Sequence, residues 1–95
     1  MGADIQSAVR RFVPNNPPLS KLVIKILNQT FRVRELPLDL VRMTVQRAFE
    51  LTRDLEIEIE STVFEEKLLF FVQQIKPRFL AKIQQQRQQA RKQSW

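Results

Sequence analysis

Five prolines and a single glycine constrain this 95-residue chain more than any other feature. Proline fixes φ and lacks an amide proton, so it opens or ends helices far more readily than it sits inside them. Pro14, Pro17, Pro18, Pro37 and Pro77 divide the sequence, and the segments between them repeat apolar residues at helical spacing. Ile5, Ala8, Val9 and Phe12 fall at i, i+3, i+4 and i+7, one face of a first helix. Asp4 suits its N-cap and Pro14 its end. The linker Pro14-Asn15-Asn16-Pro17-Pro18 is semi-rigid.

A second helix starts near Pro18 to Ser20, with Leu19, Leu22, Val23, Ile26, Leu27 and Phe31 as its apolar stripe. It has to stop before Pro37, because the residue preceding a proline avoids helical geometry. Pro37 suits the first turn of a third helix and Asp39 its positive end. Val41, Val45, Ala48 and Phe49 form that helix's stripe. Thr62 to Glu65 reads as a capping box, T-x-x-E, opening a fourth helix. Its long stripe is Phe64, Leu68, Phe71, Val72, Ile75, Phe79 and Ile83, and Pro77 inside it predicts a kink near Lys76. Phe49 and Phe71, each in mid-stripe, are expected to be buried.

Leu55 to Glu60 breaks the helical rule. Leu-Glu-Ile-Glu-Ile-Glu alternates with period two, as does Phe31 to Leu36 with arginine in place of glutamate. The alternation fits a short strand pair, 31–36 against 55–60, with Arg32 and Arg34 facing Glu56 and Glu58. It also fits a helix end and connector, which is the preferred reading. The expected fold is therefore all-α: a small three- to four-helix bundle with a Pro-kinked C-terminal helix over residues 1–83. A basic, Gln-rich tail over residues 84–95 follows, either a frayed helix or disordered until bound, because it lacks an apolar stripe.

Charge is arranged in blocks. Residues 1–49 carry a net +5, residues 50–66 a net −6, and residues 67–95 a net +7 with no acid at all. Two basic blocks flanking an acidic one fit either pairing within the molecule or a basic surface for a polyanion.

The residue inventory argues against an enzyme. There is no His, the usual general base and metal ligand near neutral pH, and no Cys, the strongest nucleophile there. Gly2 is the only glycine, which excludes the Gly-rich loops that cradle phosphates. Glu56, Glu58, Glu60, Glu65 and Glu66 lack the Asp/Asn alternation and the Gly turn of a Ca²⁺ loop. No cofactor and no metal are expected. The start of the chain has no apolar signal core, and Gln6 breaks the myristoylation pattern. The longest apolar run, Leu68 to Val72, is far short of a membrane span. A cytoplasmic location follows as an expectation, with no membrane partner.

Lys and Arg neutralise phosphates, the sequence-independent part of nucleic-acid binding. Arg10, Arg11, Lys21, Lys25, Arg32 and Arg34 would meet on one surface if the first two helices pack as a hairpin, with the −6 segment on the opposite side. Arg87, Arg91 and Lys92 stand among glutamines in the tail. The helix junctions are built on proline rather than the tight Gly turn of a helix-turn-helix, and there is no aromatic set on strands for base stacking. The expected function is a non-catalytic subunit holding the backbone of RNA or single-stranded DNA within a larger protein assembly. In size, helicity and charge, though in no motif, it resembles the small helical subunits of CRISPR effector complexes. The alternative is a protein–protein adaptor or homodimerising module. The Leu68-Leu69-Phe70-Phe71-Val72 run is apolar around much of its helix. Phe70, off the main stripe, and Trp95 are its candidate interface residues. Membrane-surface binding by the Lys21/Lys25 helix is a lesser reading.

Overall fold

The computed structural model describes the backbone of residues 2–93 and the side-chain surroundings of residues 4–85. Its elements are β1 (Gly2–Asp4), α1 (Ile5–Phe12), α2 (Pro17–Phe31), β2 (Glu35–Pro37), α3 (Leu38–Arg53) and α4 (Thr62–Gln93). Among the described residues this is an all-α bundle of four helices, with one short antiparallel strand pair closing an end.

Each helix start has a local cause. The Asp4 carboxylate accepts the Ser7 amide at 3.0 Å and caps α1. Asn16 accepts the Leu19 amide at 3.3 Å, and Pro17 and Pro18 fill the first turn of α2, where missing amide protons cost nothing. The cap of α4 lies one residue before the expected Thr62: the Ser61 hydroxyl accepts the Phe64 amide at 3.1 Å. α2 stops on Arg32, whose left-handed φ of 53° turns the chain six residues after Ile26 and well before Pro37. Pro37 stands just outside α3, as its N-cap, with Asp39 in the first turn.

The strand pairing differs from the one the alternating segments suggested. β2 pairs with β1, in the register Gly2 to Pro37, Ala3 to Leu36 and Asp4 to Glu35. Only Glu35 and Leu36 of residues 31–36 join a strand, because Phe31 still belongs to α2 and Arg32 is left-handed. Residues 55–60 form the connector. Glu56 takes a φ of 52°, and the Ile57 amide folds back to donate to the Leu51 carbonyl at 3.0 Å. Ile57 and Ile59 are half-buried against the core while Glu56, Glu58 and Glu60 are exposed. The period of two therefore records a connector with one side on the core, not a strand.

α1 packs on α2 and α3, and α4 packs on the same two helices. Between them lie Val9, Leu19, Val23, Leu27, Leu36, Leu40, Val41, Leu51, Phe64, Leu68 and Val72, all fully buried. Phe49 and Phe71 are only half-buried, contrary to expectation. The buried face of α3 is centred on Leu40, Thr44, Ala48 and Leu51, which leaves Phe49 at its edge. Phe49 lies 5.3 Å from the Arg53 guanidinium, and Phe71 lies 5.8 Å from that of Arg47. Each ring meets the core on one side and a cation on the other.

α4 passes through Pro77 and continues to Gln93, with no break at residue 84. Pro77 is exposed, and its missing amide leaves the Gln73 carbonyl without its usual partner four residues on. Among the described residues, no helix is long and apolar enough to cross a membrane.

Candidate nucleic-acid interface

Ion pairs and the relative sense of α2 and α4 decide which basic residues gather. Lys25 of α2 bonds Glu65 of α4 at 3.0 Å. Further along both helices, the Lys76 ammonium donates to the Thr30 carbonyl at 3.2 Å. Contacts that advance together along the two helices mean that α2 and α4 run in the same sense. The start of α2 therefore lies beside the acidic connector, and the end of α2 lies beside the acid-free half of α4.

This arrangement sets Lys21 and Lys25 apart from Arg32 and Arg34 among the six basic residues expected to share a face. Lys21 and Lys25 line a shallow groove with Ile59, Glu60, Ser61 and Glu65. The −6 segment thus lies against them rather than on the far side of the molecule, and their charge is locally compensated. Arg32 and Arg34 lie at the other end of α2, about 16 Å from Lys21 along the axis at 1.5 Å per residue. Arg10 and Arg11 are exposed in the last turn of α1, where cations offset the negative end of the helix. α1 and α2 pack against each other as a hairpin, with Lys21 and Lys25 beside the acidic connector.

Further basic residues lie where α2 ends and on the second half of α4. Arg32 and Arg34 are exposed at the former, and the Arg34 carbonyl accepts the Ile5 amide at 3.3 Å, which ties that loop to the start of α1. Lys76 reaches the same place, with its ammonium 5.8 Å from the Phe31 ring. Arg78 and Lys82 are exposed on the next turns of α4. Two carboxylates, Asp4 and Glu35, stand opposite each other on the neighbouring strand pair, and the Asp4 side chain is engaged in its cap. Lys76, Arg78 and Lys82 were not singled out from the sequence, although the absence of any acid after Glu66 was the signal that could have found them.

Phe70 is 62% exposed on α4. It borders a groove of about 370 Å³ lined by Arg47, Glu66, Lys67, Phe71 and Gln74. The side chains of Arg87, Arg91, Lys92 and Trp95 lie outside the described residues. Among the described residues, no three carboxylates gather closely enough to hold a metal ion. No protein family, curated protein or solved structure matches this chain at a significant level.

Proposed function

We propose that this chain is a non-catalytic subunit that holds the phosphate backbone of a nucleic acid within a larger assembly. The contact surface is the basic end of the bundle: Arg32, Arg34, Arg78 and Lys82, extended by Arg87, Arg91 and Lys92. One observation carries the reading. The acid-free second half of α4 lies beside the left-handed exit of α2, whereas the acidic connector is held at the opposite end by the Lys25–Glu65 pair. Lys21 and Lys25 drop out of the surface for the same reason. Arg10 and Arg11 are left as helix-terminal charges.

Backbone contacts carry no base information, so affinity should be alike for oligonucleotides of equal length and different sequence. Seven contacts would give a log–log salt slope of about −5 to −6, and replacing Arg87, Arg91 and Lys92 with Gln in the full chain should bring it to about −3. Arg78→Glu with Lys82→Glu should weaken binding to every sequence, whereas Lys21→Glu should have little effect. Binding that ignores salt, binding confined to one sequence, or no binding at low salt would each overturn the proposal.

A further inference from the structure

The groove between α3 and α4 has a wall that phosphate contacts do not use. Its two aromatic rings differ. Phe71 lies under the Arg47 guanidinium, which Glu50 holds at 2.9 Å. Phe70 has no such cover and is 62% exposed. The side chains that surround the Phe70 ring on the helix, at i−4, i−3, i+3 and i+4, are Glu66, Lys67, Gln73 and Gln74. All four are polar and exposed. The ring is therefore one flat apolar face set among charges and amides, which suits a ligand that is itself flat, with hydrogen-bonding edges, better than an apolar helix.

Charge specifies that ligand further. Lys67 has no acid at i±3 or i±4, where Val63, Phe64, Phe70 and Phe71 stand, and it joins no ion pair among the described residues. At 3.6 residues per turn, Lys67, Gln74 and Arg78 lie close to one line along α4, and Lys82 follows one turn on. This line carries no carboxylate. Glu66 stands on the other flank of the Phe70 ring, where it repels phosphate and favours the side of Lys67. We infer that an unpaired nucleobase of the bound strand stacks on Phe70. Its phosphate lies on Lys67, Gln74 bonds the base edge or sugar, and the strand continues along Arg78 and Lys82. The inference rests on the phosphate-holding reading above and adds the form of nucleic acid held: single-stranded, because a duplex keeps the faces of its bases stacked on one another. Stacking is tolerant of sequence, since every base has a π-face.

Fluorescence anisotropy of the nuclease-treated full chain with three labelled DNA ligands of equal length tests this. One is a single strand, the second the same strand with abasic sites throughout, and the third a duplex. Phe70→Ala should weaken binding of the intact single strand at least about fivefold and leave the abasic strand and the duplex unchanged. Phe70→Trp should keep the parent's affinity for the intact strand. The helical circular dichroism should not change in either variant, because the ring is largely exposed. Lys67→Gln should flatten the salt slope for the single strand by about 0.7, one phosphate contact. Salt-dependent binding in which the intact strand is indifferent to Phe70→Ala would overturn the inference and leave the phosphate-holding reading standing. So would an equal loss on the abasic strand. No binding of any of the three ligands at low salt would overturn both.

Discussion

Phe64 offers the sharpest test of how this bundle is held together. It is the largest fully buried side chain, in the first turn of α4, where the Ser61 cap fixes its backbone. Phe64→Ala removes the ring from a fully buried site in the core, and such truncations cost about 3–5 kcal/mol through lost burial and a residual cavity. A chain of 95 residues has a total stability of roughly 5–14 kcal/mol. The variant should therefore lose between about a fifth and all of its margin, and its melting temperature should fall by at least about 12 °C, at 4–8 °C per kcal/mol. Phe70→Ala is the control on the same helix. With 62% of the residue already exposed, the lost burial is roughly 0.5–1 kcal/mol. Phe71→Ala should fall between the two, because its ring is half-buried under Arg47. Thermal melts followed at 222 nm, run at one dilute concentration so that association does not contribute, rank the three. If Phe64→Ala melts within about 4 °C of the parent, or if Phe70→Ala falls as far, the assignment of the inner face of α4 is wrong.

Other perturbations separate neighbouring explanations. Ser61→Ala should cost about 1 kcal/mol, the usual loss for an N-cap, and Thr62→Ala much less; the reverse order would return the cap to Thr62. Lys76→Met removes the bond to the Thr30 carbonyl and the cation from the Phe31 ring, and should cost about 1–2 kcal/mol in urea melts. No change would mean that this lysine does not join α2 to α4. Glu65→Gln should cost under about 1 kcal/mol, because the ion pair it breaks is more than a third exposed on both sides. A larger loss would give the pair a structural weight that its exposure does not support.

The sequence made the helices legible because their signals are local. Apolar residues at helical spacing and proline at the boundaries act over a few positions, and 18 of the 20 core side chains among the described residues lie on the four helices, all but Val13 and Leu36. Departures occur where a tertiary contact competes with a local one. Phe49 fits the α3 stripe as well as Leu51 does. Packing chooses Leu51, since the face that meets α1 and α4 is turned toward Leu40 and Thr44. Thr62 and Ser61 both carry a capping hydroxyl, and only the geometry of the preceding turn, where the Ser61 hydroxyl also donates to the Glu58 carbonyl, selects the serine. The β1–β2 pairing was not legible at all. Gly2–Asp4 is too short to show a period, and its partner is more than thirty residues away.

The candidate surface was harder to read than the fold, and the reason is electrostatic range. Block charges of +5, −6 and +7 invite the conclusion that the N-terminal block is as attractive to a polyanion as the C-terminal one. Interaction between exposed charges fades beyond about 8 Å at physiological ionic strength, so what matters is which charges lie within that distance in space. Lys25 lies 3.0 Å from a carboxylate, and Lys21 shares a groove with Glu60 and Glu65, so neither projects much field outward. Glu66 and Arg78 are twelve residues apart on one helix, about 18 Å at 1.5 Å per residue and more than two screening lengths. Glu66 and the acidic connector before it therefore cannot cancel the field at the basic end, even though the connector leads directly into the same helix. A chain whose net charge is only +6 can in this way present one strongly basic end and one acidic end. The relative sense of α2 and α4, which no local pattern encodes, decides which lysines belong to which.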